Sequence, residues 1–414
     1  MKDRLHIGIA GAGLLGRLLA FELARTGHSV DIFDPATGPQ APGAGAGAGT
    51  AYAAGWTAAG MLSPTAELES ADENVFALGL RSLELWPTIV AALKLPVELH
   101  QRGSLLLAHR GDEGAARRVV DLLKHKAPAG HAPQRLEAAA LRELEPALHG
   151  VAHAWLLPHE GQIHTVQAMV ALAQAAGAAG VRWHWGTVVD RLRPGEIHTA
   201  QRVLAFDCVI DVRGTGARPS AHAADPFAGF TPGVRGVRGE IIWLHAPHVA
   251  LQRPIRLLHP RHRVYLVPRT GGHIVIGASE IESEDRSPIS LRSMVELLAA
   301  AHSIIPDLAE ARVVHTETNL RPALPDNLPH LEQEPGLVRI NGLFRHGWLI
   351  APALVERALE NLTSHTTMES PSACRPGLEE PAPDPDSGGL MSHEPMSRLA
   401  SMDCGSSPQG QSSK

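Results

Sequence analysis

Apolar residues recur along the chain with two periods, and their alternation sketches the fold. A short apolar run from Leu5 to Ala10 gives way to glycines, and apolar positions then follow at helical spacing from Leu14 to Arg25. Gly27 stops that helix, and Ser29–Val30–Asp31–Ile32–Phe33–Asp34 reads as a second strand, the front half of a βαβ unit. Residues 35–55 read as a flexible loop, with Pro35, Pro39, Pro42 and an alternating Gly-Ala run from Gly43 to Gly49. That run lacks the Lys-Ser/Thr ending of a phosphate loop, and no strand leads into it. Helical periodicity returns at 71–93, 112–126 and 134–145, with a strand from His100 to Ala108 between.

From His153 the pattern reverts to strand and turn: Trp155 to Pro158, then His159 to His164. Thr165 can cap a helix through Ala176, and Val181 to Val189 can form a strand. The run Val203 to Val212 predicts one buried parallel strand leading into Arg213–Gly214–Thr215–Gly216, where the N-terminal nucleotide fold resumes after an insertion. Gly239 to Leu244, Val264 to Pro268 and His273 to Gly277 are short, turn-bounded strands of an antiparallel sheet. A helix from Leu291 to His302, a strand from Leu337 to Asn341 and a helix through Leu362 complete the body. Beyond about Thr366 the chain is rich in Pro, Ser and Gly without periodicity, which predicts disorder for 366–414.

Composition narrows the class without naming a ligand. With 414 residues, 44% hydrophobic and 19% charged, the chain has room for two domains and a large core. A net charge of −6 gives no footprint for nucleic acid. Three cysteines exclude a disulfide framework and suit a reducing compartment. No run reaches the roughly 18 apolar residues of a membrane helix, and glycines interrupt the apolar N-terminal run, so a cytoplasmic protein without a membrane partner is expected. The 24 histidines include the pairs His245/His248 and His259/His262, but none lies on a helix face with a supporting carboxylate. No metal site is therefore expected. No G-x-S-x-G nucleophile elbow occurs either.

The chemistry starts in the glycine turn. In Gly11–Ala12–Gly13–Leu14–Leu15–Gly16 the spacing G-x-G-x-x-G assigns Gly11 to the tight turn, Gly13 to close approach of a pyrophosphate and Gly16 to helix–strand packing. The helix N-terminus then offers free N–H groups and a favourable dipole to phosphates. Asp34 ends the second strand 18 residues after Gly16, where a carboxylate meets ribose hydroxyls. On these residues alone NAD, FAD or an unliganded turn all remain open. The stretch Trp56–Thr57–Ala58–Ala59–Gly60–Met61–Leu62 has the small residues that a planar ring system needs if backbone is to lie against it.

With these segments in order, the chain resembles the D-amino-acid-oxidase-like flavoproteins, over roughly residues 5–362. The resemblance rests on the fingerprint, Ala58 to Leu62 with Glu67, Val237–Arg238–Gly239–Glu240, Tyr265 to Arg269, Gly277 to Glu280, Leu320–Arg321–Pro322, and Phe344 to Gly347 leading to Ala351–Pro352. It implies FAD as cofactor and an α/β plus α+β architecture, in which a Rossmann-like FAD domain of the p-hydroxybenzoate-hydroxylase type carries an antiparallel-sheet substrate domain. The FAD domain would be discontinuous, from 1–90, 150–220 and 318–362; the substrate domain would take 91–149 and 221–317.

The resemblance also implies roles. Thr57 would be among the cofactor-binding residues, Gly60 and Met61 would lie near the isoalloxazine ring, Val188 on the adenine side, and Gly214 with Gly216 along the cofactor crevice. His346, Gly347, Trp348 and Leu349 would bring backbone N–H groups to the flavin N1–C2=O edge. Arg321, at the family's Leu-Arg-Pro position, would be the carboxylate anchor, because a guanidinium pairs bidentately with a carboxylate and stays charged. Tyr265 would bond the same carboxylate, and Arg345 either faces the substrate or fixes the loop. Arg263 and Glu280 stand at positions that vary in the family, which leaves pocket polarity open, and Arg213 is bulkier than the small residue common there. The implied activity is oxidation of glycine, sarcosine or small D-amino acids, with oxygen as electron acceptor and a homo-oligomer, a tetramer, as the assembly. A dehydrogenase using another acceptor and a non-catalytic dinucleotide-binding module are the alternatives.

Overall fold

A computed structural model describes residues 4–41, 52–218, 233–258 and 263–366. The Gly43 to Gly49 run, the His259/His262 pair and all but the first residue of the 366–414 tail lie outside the described residues.

Two sheets organise the chain. The first has six strands in the order His330–Glu334, Leu337–Asn341, Cys208–Asp211, His6–Ala10, Ser29–Asp34 and Arg182–Trp185. All its pairings are parallel except the first, an edge hairpin. His6–Ala10 lies at the centre with Ser29–Asp34 on one side and Cys208–Asp211 on the other, so strand order reverses at its carboxyl end. That is the switch point where open α/β sheets bind ligands. The helices Leu14–Arg25, Glu73–Ala91, Thr165–Ala178 and Gly347–Thr366 contribute to one core with this sheet. Trp86 is fully buried there, donates from its ring N–H to Trp348 O at 3.0 Å and stacks on the Trp348 ring.

The other face of the sheet is covered by a meander of Arg191–Arg193, Glu196–His198 and Val203–Ala205. Gly8 makes room for it, since a Cβ there would fall 2.8 Å from Ile197 Cδ1 and from Phe206. The single strand predicted over 203–212 is in fact two. Phe206 N–H donates to Gly195 O at 2.8 Å, and the Asp207 carboxylate accepts from His6 N–H at 2.6 Å. Val203–Ala205 therefore joins the meander, and only Cys208–Asp211 pairs in parallel with the central strand.

The second sheet has eight strands in the order Arg312–Ala323, Arg235–His245, His273–Gly277, Arg263–Arg269, Ile255–Leu258, Ser104–Ala108, His153–Leu157 and Gln134–Leu136. Every pairing is antiparallel except Ile255–Leu258 with Ser104–Ala108. Its core gathers Leu105, Leu107, Ile242, Leu266 and Ile276 with Leu297 and Ala301 of the helix Leu291–Ile304.

Other sequence expectations shift at glycines or at pairing edges. The strand expected over 100–108 splits at Gly103, whose φ is +80°, into Leu99–His100 and Ser104–Ala108. The strand expected through Val189 stops at Trp185, because Gly186 takes φ +67° and Thr187 N–H turns back to Asp34 O. The helix expected over 134–145 is a strand, Gln134–Leu136, followed by the helix Ala138–Leu144; pairing with Ala154 to Leu156 takes the first residues into the sheet. The long helix of 71–93 is Glu73–Ala91, capped by Asp72, whose carboxylate accepts from Val75 N–H at 2.9 Å. No helix among the described residues is long and apolar enough to cross a membrane, and no group of three His, Cys, Asp or Glu among them could hold a metal.

Candidate active site

The glycine turn is built as its spacing predicts. Gly11 adopts φ +106°, and a Cβ on it would sit 2.7 Å from Val212 O. A Cβ on Gly16 would fall 1.9 Å from Gly11 O, which shows how closely the helix packs on the turn. Gly13 is different: an added Cβ would meet only Ala53 Cβ, at 3.5 Å. As N-cap of Leu14–Arg25, Gly13 also contributes no side-chain acceptor, which leaves first-turn N–H groups for a ligand. The Asp34 carboxylate accepts from Ala12 N–H at 2.6 Å and from Ala36 N–H at 2.8 Å. It fixes the turn and keeps lone pairs for hydroxyl donors.

From this turn a cavity of about 1110 Å³ runs between the two sheets. That is slightly above the roughly 300–1,000 Å³ of ordinary small-molecule pockets, so it admits an extended dinucleotide and a small second molecule. Gly11, Gly13, Asp34, Val188, Gly214 and Gly216 line one part; Thr57, Gly60, Met61 and His346 to Leu349 line another; Tyr265, Arg321 and Arg345 line a third. Of the residues singled out by sequence only Gly16 lies off the wall, as its packing role requires. The groups present fit FAD: an uncrowded glycine for the pyrophosphate, a carboxylate for the ribose, and a wall of small residues for the ring. Gly60, at φ +66°, would place a Cβ 2.1 Å from Ile163 O, so only glycine lets this wall lie against the strand Gly161–Ile163.

The helix Gly347–Thr366 begins at the same wall. Its first-turn amides, on Gly347, Trp348 and Leu349, precede the first intrahelical bond, which Ile350 N–H makes to His346 O at 3.0 Å. Trp348 locks this end by donating from its ring N–H to Gly55 O at 3.0 Å.

Charge is distributed unequally at the far wall. Glu67 is buried between Arg256, whose Nη2 is 2.6 Å from Oε1, and Arg345, whose Nε is 2.9 Å from Oε2; His346 Nδ1 lies 3.3 Å from Oε2. Burial raises the Glu67 pKa, but the two arginines and His346 outweigh it and hold the group well below the usual carboxylate range. Arg345 also reaches Glu280 at 3.3 Å and the Ser70 hydroxyl. Of its two expected roles, the geometry favours fixing the loop. Among the described residues Arg321 makes hydrogen bonds only to backbone: Nη1 donates to Ser279 O at 3.1 Å and to Arg238 O at 3.3 Å. Gly239 is vacant for it, since a Cβ there would come within 2.5 Å of the guanidinium carbon. Burial draws the Arg321 pKa down and pushes the Tyr265 phenol up, and the two groups share the wall. The bulky Arg213 folds back on Asp211, with Nη2 to Oδ2 at 2.8 Å, and donates to Val189 O.

Sequence reasoning missed Asn319, whose side chain donates to Thr57 Oγ1 at 3.1 Å and ties the strand of Arg321 to the wall of small residues. It also missed Arg256 and Arg286; nothing in their local pattern marks them, and only the fold brings them to the cavity.

Comparisons with known proteins agree with this geometry. The family described as FAD dependent oxidoreductase (DAO) matches residues 6–358. A Rhizobium etli protein named as a thiamine biosynthesis oxidoreductase, ThiO, is 36% identical over 359 residues, covering 86% of this chain and 96% of that protein. A glycine oxidase of Geobacillus kaustophilus is 29% identical, covering 85% of this chain and 91% of the relative. A crystal structure of glycine oxidase from that organism superimposes with a TM-score of 0.73 at 27% identity, covering 87% of this chain and 95% of the other. Together these matches show that the chain belongs to the FAD-dependent oxidoreductase family, and that FAD is its cofactor.

Proposed function

We propose that the protein oxidises the Cα–N bond of glycine, with sarcosine and small D-amino acids as further substrates, and passes the electrons to oxygen. The balanced reaction is glycine, water and oxygen to glyoxylate, ammonia and hydrogen peroxide. Bound FAD supplies the acceptor for the hydride that leaves Cα. The chain's own part is placement. Arg321 takes the substrate carboxylate in its planar fork, and Tyr265 bonds the same group and walls the pocket. The amides at the start of Gly347–Thr366 offer donors and the positive end of a helix dipole to the pyrimidine edge of the ring. Glu67 holds Arg345 and His346 so that this helix start keeps its position.

In this reading residues 1–90, 150–220 and 318–362 hold the cofactor, while 91–149 and 221–317 shape the substrate side. The imine formed first could serve thiazole assembly in thiamine synthesis, a role that the name of the Rhizobium relative supports.

The observation that carries the reading is Arg321: a half-buried guanidinium on the cavity wall with no carboxylate partner among the described residues, which a substrate carboxylate would complete. The test is peroxide release on adding glycine in air. Glycine-dependent peroxide with glyoxylate supports the oxidase. Flavin that glycine bleaches and air does not restore would make the protein a dehydrogenase, and flavin that glycine leaves oxidised would end the reading.

A further inference from the structure

Eight arginines line the cavity, and six of them have an Asp or Glu carboxylate at salt-bridge distance. Among the described residues only Arg321 and Arg286 lack one. A cation held partly out of water without a counter-charge costs free energy, and an anionic ligand offsets that cost. The ligands of this cavity bring two anionic groups, the substrate carboxylate and the cofactor pyrophosphate. Arg321 answers the first.

Arg286 is half-buried, and its one hydrogen bond among the described residues runs from Nη1 to the neutral Asn319 Oδ1 at 3.1 Å. The Asn319 side-chain N–H groups donate in turn to Thr57 Oγ1, Tyr52 O and Ala53 O at 3.1, 3.3 and 3.4 Å. Ala53 is the residue that faces the open side of Gly13, at 3.5 Å from its added Cβ. Arg286 is thus tied through Asn319 to the segment opposite the fingerprint turn. That turn carries no cation of its own. Arg17, the nearest in sequence, is buried, and its guanidinium is taken up by the carbonyls of Ala12, Met169 and Pro39.

We propose that Arg286 is the cationic partner of the FAD pyrophosphate, aimed by Asn319. The assignment extends the phosphate site from the amides of the glycine turn to a loop more than 270 residues away in sequence. It rests on the family's cofactor and not on which amine is oxidised.

The test is titration of flavin-depleted full-length protein with FAD and, separately, with riboflavin, which has the same ring and no phosphate. Arg286→Gln should raise the Kd for FAD about 10- to 100-fold, the range for losing a charge-assisted hydrogen bond, and leave the Kd for riboflavin unchanged. Arg286→Lys, which keeps the charge and loses the fork, should fall between. An FAD affinity within twofold of wild type in Arg286→Gln overturns the assignment. So does equal weakening of FAD and riboflavin, which would mean that Arg286 acts through the fold. Should Arg286→Gln not accumulate as folded protein, Arg286→Lys decides by the same contrast: selective loss of FAD affinity supports the pairing, and equal retention of both ligands overturns it.

Discussion

Arg345 and Arg321 line the same cavity and are neutralised in opposite ways. Arg345 has Glu67, Glu280 and a serine hydroxyl around it, in a network that also holds Arg256 and His346. Arg321 has two backbone carbonyls. The first charge is satisfied by the fold and serves to hold a loop; the second has no carboxylate partner among the described residues, and in the proposed function the substrate supplies it. What separates the two arginines is the carboxylates around the first. On the proposed function, a half-buried cation without a carboxylate is a better marker of a binding site here than the presence of arginine.

Breaking the satisfied side should cost most. Glu67→Ala leaves Arg256 and Arg345 without their shared counter-charge, and should lower unfolding free energy by about 3–5 kcal/mol in a denaturant titration. Because the Glu67 pKa is depressed in the folded state, its stabilisation is present above the unfolded carboxylate pKa and fades as pH falls through the folded value. Removing the unsatisfied cation should do the reverse to stability. Arg321→Met should leave unfolding free energy unchanged or raise it by up to about 1 kcal/mol, while KM for glycine rises about 100-fold as the carboxylate loses its partner. A loss of stability comparable with that of Glu67→Ala would erase the contrast between the two arginines.

Glu160 sharpens the comparison from the acidic side. It is buried, hydrogen-bonded to the Ser104 hydroxyl and to Ala66 N–H, and burial pushes its pKa up to about 7 despite those bonds and Arg256. An acid whose pKa is raised on folding favours the folded state below its unfolded pKa and penalises it as pH rises through the folded value. Stability should therefore fall between about pH 4.5 and 7, by on the order of 2 kcal/mol from this group. Glu160→Gln should remove that part of the slope; the part due to Glu145, also raised to about 7, should remain. The smallest effect is expected at Glu280. Its side chain is 48% exposed, and its contact with Arg345 is 3.3 Å, so Glu280→Gln should change unfolding free energy by less than about 1 kcal/mol.

Much of this arrangement was legible in the sequence where local rules act. The turn geometry of Gly11 and Gly16 follows from spacing, the helix through Leu362 from periodicity, and the expectation for Arg321 from the family resemblance; Gly11 and Arg321 both line the one cavity. What escaped depends on partners distant in the chain. Arg312–Ala323, the strand that carries Asn319 and Arg321, is a sheet edge with many half-exposed polar positions, so it lacks the alternation that marks a strand. Pro322 fits there because an edge tolerates a missing donor. The break at Phe206 and Asp207 inside an apolar run is set by the meander and by His6, neither of which is visible in the run itself. The carboxylates that separate Arg345 from Arg321 likewise come from other segments.

The most direct test of Arg321 as the substrate anchor is anaerobic flavin bleaching by glycine in the wild type and in Arg321→Met, with methylamine as the substrate that has no carboxylate. Half-maximal bleaching by glycine should need about 100-fold more substrate in the variant, while any response to methylamine stays the same. Equal glycine dependence in the two proteins would contradict the assignment of Arg321 and, with it, the reading of its unpaired charge.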